Sequence, residues 1–153
     1  MLECLGAWVL GCLGAWVLRC RGWGRFWVVE RKRVAGSNYR DLLVWQQAIE
    51  LSLSVYQETE NFPNAEKYGL TSQMRRAAAS IPANLAEGSG RNSKKEFAHF
   101  VAVAIGSLRE LETFVEIAWR LGYLSDHRSL IAQCDSVSRL LTRLRVSLQK
   151  ASS

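Results

Sequence analysis

Apolar residues recur at the spacing of an α-helix over most of the chain, beginning just after Asn38. One row, with steps of 3, 4, 4 and 3, predicts a first helix that ends before Phe62 and Pro63. This row contains Leu42, Trp45, Ile49, Leu53 and Tyr56. A second row, on another side of the same helix, contains Val44, Ala48, Leu51 and Val55. A bundle core needs only one row, so the second row either widens the buried face or forms a subunit interface.

A second helix is predicted by an apolar row that ends at the glycines Gly88 and Gly90. The row contains Leu70, Met74, Ala78, Ile81 and Leu85. Pro82 lies inside this segment and cannot donate a hydrogen bond to the carbonyl of Ala78. We therefore expect a kink or a loosened turn near residues 79–81, at a cost on the order of 3 kcal/mol.

Two further helices follow. The third opens at Ser93 with Glu96 three residues later, the form of a capping box, and Gly122 supplies its stop. Its stripe contains Phe97, Phe100, Val101, Ala104, Leu108, Leu111, Val115, Ala118 and Trp119. The fourth helix begins near Asp126, and its seam contains Leu130, Cys134, Val137, Leu141, Leu144 and Leu148. The fold class is therefore all-α, an antiparallel up-down-up-down four-helix bundle over residues 37–153 with a non-core N-terminal extension.

Residues 1–36 differ from the rest because they contain an eight-residue unit twice, with cysteines at positions 4, 12 and 20. This spacing lacks the close cysteine pairs of zinc sites, so no metal is expected. The uncharged stretch is shorter than the roughly 20 residues that cross a bilayer as a helix. We interpret residues 1–36 as a poorly ordered or spurious extension. The alternative is an interfacial anchor formed by Trp8, Trp16, Trp23 and Trp27 with nearby arginines.

Four separated motifs in the predicted bundle carry a family resemblance. They are NYRDLLVWQQ at residues 38–47, LTSQMRRAAASIPANLAEG at 70–88, SLRELET at 107–113 and LGYL at 121–124. The chain resembles the four-helix-bundle proteins named for reading frames in intervening sequences of bacterial 23S ribosomal RNA genes. The resemblance implies a left-handed antiparallel bundle and often a pentamer. Related proteins include the accessory variability determinant of diversity-generating retroelements, a ring that binds nucleic acid and a reverse transcriptase.

A row of polar residues lies about 120° from the apolar row on the second helix, at 100° per residue. It contains Gln73, Arg76, Ser80, Asn84 and Glu87. Because this row lies beside Pro82 and small alanines, we expect a polar network within or between subunits. Contact with a ligand or nucleic acid, and plain solvation, are the alternatives. On the third helix, Glu112 and Glu116 are candidate ion-pair partners for Arg75 or Arg76, and Glu116 can also pair with Arg120.

Charge bears on the choice of partner. The 153 residues contain 20 Lys and Arg against 14 Asp and Glu, a net charge of +6. Residues 1–36 hold six basic and two acidic side chains, so the bundle itself is close to neutral. Four cations fall within about 60° on the fourth helix, opposite its seam, and are candidate contacts for a polyanion. They are Arg128, Arg139, Arg143 and Lys150. A solvated helix face is the alternative.

The sequence contains no recognised catalytic motif around its two histidines, and we expect no enzyme activity, no cofactor and no metal. We predict a non-enzymatic, oligomeric interaction or scaffold protein of the bacterial cytoplasm. A pentamer is what the resemblance implies, and RNA, DNA or another protein are candidate partners. The alternative is a nucleic-acid-binding accessory factor that acts with a partner such as a reverse transcriptase.

Overall fold

The computed structural model describes residues 38–150, which form four α-helices and two short 3-10 turns. The helices are α1 (Leu43–Glu58), α2 (Leu70–Ser89), α3 (Lys94–Arg120) and α4 (Arg128–Lys150). The 3-10 turns are Tyr39–Asp41 and Asn64–Glu66. The hypotheses about residues 1–36 lie outside the described residues.

Consecutive helices pack against each other, and α4 returns to pack against α1. Short connections join them, so neighbouring helices run antiparallel, as the apolar periodicity predicts. Hydrogen bonds between helices show which of their residues lie at the same height along the bundle axis. Ser52 Oγ lies 3.0 Å from the carbonyl oxygen of Ala78, and Arg109 Nη2 lies 3.4 Å from Ser138 Oγ. The all-α four-helix bundle is confirmed.

The two apolar rows of α1 have opposite surroundings. Val44, Ala48, Leu51 and Val55 are buried at 5%, 0%, 0% and 0% exposure in the core of the subunit. The hypothesis that this row forms a subunit interface is therefore wrong, since its side chains are enclosed by the other helices. The first row lies at the edge of the core: Trp45 packs against the core and is partly buried, Ile49 is partly buried, and Leu53 and Tyr56 are 52% and 47% exposed.

Helix α2 continues through Pro82 without interruption. The Ala78 carbonyl, which Pro82 cannot satisfy, instead lies within hydrogen-bond distance of the buried Ser52 hydroxyl on α1. The same hydroxyl lies 2.8 Å from the carbonyl oxygen of Ala48, so its one hydrogen is shared between two acceptors. A side chain of the neighbouring helix thus offsets part of the cost of an internal proline.

The helix ends differ in detail from the sequence patterns. Gly122 has φ +76°, and the amide of Tyr123 donates to the Ala118 carbonyl at 2.9 Å, so the predicted glycine stop of α3 is confirmed. Ser93 precedes α3, but its side chain makes no capping hydrogen bond, so the predicted capping box does not form. Gly88 lies within α2, where a Cβ would come 2.7 Å from carbons of Phe97 and Phe100. Its role is close packing of α2 on α3.

Candidate functional site

An apolar surface runs along the outer side of α1 and α2, and we call it the α1–α2 face. From α1 it includes the partly exposed row of Trp45, Ile49, Leu53 and Tyr56. From α2 it includes Ala79 and Ala83, which are exposed, and Ala86, which is partly buried. Because the α2 residues of this face are small, the larger side chains of α1 form most of its relief.

A shallow groove of about 330 Å³ lies in the α1–α2 face. Its lining is Tyr39, Trp45, Ile49, Ser52, Ala79, Pro82, Ala83 and Ala86, and contains no charged side chain. Tyr39 packs edge-on against Trp45 with 5.3 Å between the ring centroids, which closes one end of the groove. The arrangement offers apolar contact area and no group suited to acid, base or nucleophilic chemistry.

A second groove, of about 390 Å³, lies between α1 and α4, and its lining includes Gln47, Glu50, Gln133 and Ser136. Ser136 donates to Gln47 Oε1 at 2.9 Å, and Ser54 donates to Gln133 Oε1 at 3.1 Å. These bonds join α1 to α4 within the subunit and occupy the Ser136 hydroxyl and the Oε1 atoms of Gln47 and Gln133.

The polar row predicted on α2 is only partly connected. The Asn84 amide donates to the carbonyl and hydroxyl oxygens of Ser80, at 2.8 and 3.0 Å. Ser80 Oγ lies 2.9 Å from Ser107 Oγ on α3, so this part of the row joins two helices of one subunit. Glu87 pairs with Arg91 four residues later. Ser107 is the first residue of the SLRELET motif, and nothing in its sequence position predicts that it contacts Ser80.

The two remaining members of the polar row do not join this network. Gln73 is partly buried, and Arg76 is exposed to solvent on the outside of α2. Neither side chain hydrogen-bonds to Ser80, Asn84 or Glu87 in the described part of the chain.

Acidic residues of α3 pair within their own helix. Glu112 Oε2 accepts a hydrogen bond from Arg109 at 2.6 Å, and Glu116 accepts one from Arg120 at 2.7 Å. The Glu116–Arg120 pair is confirmed, whereas the expected pairing of these carboxylates with Arg75 or Arg76 is wrong. Arg75 instead donates to Thr59 Oγ1 at 2.8 Å and stacks on the Tyr56 ring, which fixes the end of α1 to α2.

Cys134 lies in the core seam of α4, and burial raises the pKa of its thiol to about 12, with the Glu112 carboxylate adding to the effect. A thiol held protonated in this way is a poor nucleophile and a poor metal ligand. No cluster of His, Cys, Asp and Glu within residues 38–150 could hold a metal ion.

All four cations of the predicted row on α4 are exposed, but they do not lie together. At about 1.5 Å per residue, Arg128 is roughly 33 Å from Lys150 along the helix. Arg128 also pairs with Asp126 at 3.1 Å, and this contact lowers the pKa of the Asp126 carboxyl and raises that of the guanidinium. Arg139, Arg143 and Lys150 occupy the other half of α4. The four side chains therefore cannot act as one compact contact.

The fold brings other cations close to the C-terminal half of α4. Counting from the Arg109–Ser138 contact along antiparallel helices places Lys150 level with about Phe97, near the start of α3. Lys94 and Lys95 lie within about one helical turn of that level. We call the exposed cations at this end of the bundle the basic end: Lys94, Lys95, Arg143, Arg145 and Lys150. Sequence spacing missed Lys94, Lys95 and Arg145 because they belong to a different helix or a different side of α4.

None of the four helices between residues 38 and 150 is both long enough and apolar enough to cross a membrane.

The bundle places the protein in the class of small all-α four-helix proteins. Its sequence matches the model of the 23S rRNA-intervening sequence protein family over residues 40–143, and the chain belongs to that family. A solved structure from Bacteroides thetaiotaomicron, described as a protein of unknown function from the S23 ribosomal protein family, is similar in fold, with a TM-score of 0.61 and 20% sequence identity. The similarity covers 67% of this chain and 95% of that chain. No curated protein matches the sequence.

Proposed function

We propose that this member of the family is a non-enzymatic scaffold protein of the cytoplasm that associates with copies of itself. One observation carries the proposal: the α1–α2 face presents apolar side chains that no other residue between 38 and 150 covers. Leu53 and Tyr56 are 52% and 47% exposed at one end of this face, and the groove beside Trp45 lies at the other. Contiguous apolar surface of this kind is typical of protein interaction sites.

Self-association suits the α1–α2 face because the face combines projecting side chains with a groove that lacks charge. A second subunit that covers the groove would bury no ionised group of its lining, so the desolvation cost there would be small. The family resemblance implies five subunits, and a pentamer is therefore the assembly that we expect.

The test is sedimentation of the full chain across micromolar concentrations, with Leu53→Glu as the disrupting variant. A glutamate placed at a buried contact would leave an unpaired charge, so we expect the variant to sediment as a smaller species. Val146→Glu is the matched control, because Val146 is 44% exposed but lies on the basic side of α4. Wild-type protein that stays monomeric would overturn the proposal, as would equal dissociation of both variants.

A second candidate function is nucleic-acid binding as an accessory factor, and the exposed cations of α4 favour it. Arg139, Arg143 and Lys150 project away from the core seam, and each could contact a phosphate. Replacing all three with Gln should leave folding unchanged and weaken binding to unrelated RNA and DNA sequences to a similar extent. A salt titration of the full chain on one duplex and one single strand measures both effects. Absence of wild-type binding at low salt would eliminate this function.

A further inference from the structure

We propose that the basic end is the surface that binds nucleic acid, through phosphate contacts made jointly by the start of α3 and the end of α4. The proposal rests on the second candidate function and gives it a location that differs from the single row on α4. The observation behind it is the placement of five exposed cations from two helices at one end of the bundle.

The basic end projects from the bundle because α3 and α4 are longer than α1. Helices α3 and α4 contain 27 and 23 residues, whereas α1 contains 16. The hydrogen bonds between α1 and α4, from Ser136 to Gln47 and from Ser54 to Gln133, place the start of α1 well before the end of α4. At about 1.5 Å per residue, the last 10 Å or so of α4 therefore extends beyond α1 and is paired with α3. Lysines and arginines on this projecting part of α3 and α4 are accessible to a polyanion from several sides.

Charge is distributed unevenly along the bundle axis. Residues 38–46, 84–103 and 140–150, which form the basic end and its surroundings, contain seven basic and three acidic side chains. The rest of the described chain contains seven basic and nine acidic side chains. The described bundle carries only a small net charge, but its positive potential is concentrated at one end. Such an asymmetric field steers a polyanion to that end.

The cations of the basic end are available for binding. No ion pair within residues 38–150 engages Lys94, Lys95, Arg143, Arg145 or Lys150. Elsewhere, Arg109, Arg120 and Arg128 are each paired with a nearby carboxylate. A phosphate at the basic end would therefore not have to displace an existing carboxylate partner.

Nucleic acid fits this surface better than an anionic membrane. Binding in a membrane interface is strongest where a continuous apolar face with aromatic anchors lies next to the cations. Near the basic end, the strongly exposed large apolar residues that the structure describes are the non-aromatic Leu43, Val103 and Val146. The strongly exposed aromatic residues of the described chain lie toward the opposite end of the bundle: Tyr56, Tyr68 and Trp119. Arginine and lysine without adjacent aromatic anchors suit phosphate contacts that hold a nucleic acid without reading its sequence.

The test compares two triple variants of the full chain that lose the same charge. The first is Lys94→Gln, Lys95→Gln and Arg145→Gln, which removes basic-end cations outside the predicted α4 row. The second is Lys67→Gln, Arg76→Gln and Arg128→Gln, which removes exposed cations elsewhere. Affinity for a fluorescent single-stranded RNA is measured from low to moderate salt. Circular dichroism and thermal melting verify that both variants are folded.

We expect the basic-end variant to bind on the order of 100-fold more weakly at 0.1 M salt, with the slope of log affinity against log salt reduced by about 2. The control variant should retain affinity and slope close to those of wild type. Equal weakening of both variants would overturn the location at the basic end and leave the second candidate function standing. No wild-type binding would overturn both. Both variants are also sedimented with phosphatidylserine vesicles: loss of vesicle binding by the basic-end variant, with RNA binding unchanged, would assign the surface to membranes and also overturn the proposal.

Discussion

The helix pairs α1–α2 and α3–α4 both bury an apolar seam in the core, but their outer surfaces differ. In the first pair, α2 presents the small exposed residues Ala79 and Ala83, and the larger apolar side chains of α1 remain on the outside. In the second pair, the longer helices bury their seams and carry arginines and lysines on the outside, beside exposed apolar residues such as Val103 and Ile117. The uncharged groove therefore belongs to the first pair, whereas most of the cations belong to the second.

The difference between the pairs follows from side-chain volume as well as from periodicity. On α1, both rows have helical spacing, but the core accepts the smaller one, with Val44, Ala48 and Val55 beside Leu51. Four helices that meet around a narrow core leave little room for an indole or a phenol ring. Trp45 and Tyr56 consequently lie at the edge of the core, where their rings remain partly exposed.

The largest expected effect tests this assignment of the two rows. Leu51→Ala should lower the free energy of unfolding by about 2–5 kcal/mol, because Leu51 is fully buried and its removal leaves a cavity. Leu53→Ala, two residues away on the exposed side, should change subunit stability by less than about 0.5 kcal/mol. Chemical denaturation at low protein concentration measures both. Similar losses for the two variants would mean that both rows are part of the core.

The next effect concerns the contact between the two pairs, where α2 meets α3. Gly88→Ala should cost about 1–3 kcal/mol, since the new methyl group would meet carbons of Phe97 and Phe100 at 2.7 Å. Gly106→Ala is the matched control, because a Cβ at Gly106 has no atom within 4 Å. That control should gain about 0.5–1 kcal/mol from improved helix propensity. A neutral Gly88→Ala would show that the two phenylalanines move aside without cost.

A smaller effect is expected at the proline of α2. Ser52→Ala should cost about 1–2 kcal/mol, because the buried Ala78 carbonyl loses the hydroxyl that lies 3.0 Å away. In a Pro82→Ala background, the amide of residue 82 could bond this carbonyl, so the cost of Ser52→Ala should fall. A double-mutant cycle measures the coupling. Additive effects would show that Ser52 does not compensate for Pro82.

The sequence predicted the fold through its periodicity, which located all four helices and the seams of α2, α3 and α4, apart from Trp119 of the α3 stripe, which is 42% exposed. It could not decide which row of α1 lies inside, because that depends on the volume left by the other three helices. Nor could it identify Ser52 as a partner of Ala78, since the two residues meet only when α1 packs on α2. The basic end could not be predicted for the same reason, because Lys94 and Lys150 are distant in sequence and approach each other only in the antiparallel pair.

The smallest expected effect is the change of folding stability with pH that comes from Cys134, in the seam of the α3–α4 pair. Burial raises the pKa of Cys134 to about 12, above the value of roughly 8.5 expected for an unfolded chain. The folded state therefore retains a proton that the unfolded state releases, so stability is lost as pH rises between these two values. From pH 8 to 9.5, wild type should lose about 1 kcal/mol more than Cys134→Ala. Urea denaturation at both pH values measures this difference, which is independent of the cavity cost that the variant carries at every pH. Parallel losses in the two proteins would mean that the Cys134 thiol ionises in the folded state as readily as in the unfolded chain, and that the seam admits water where α3 and α4 meet.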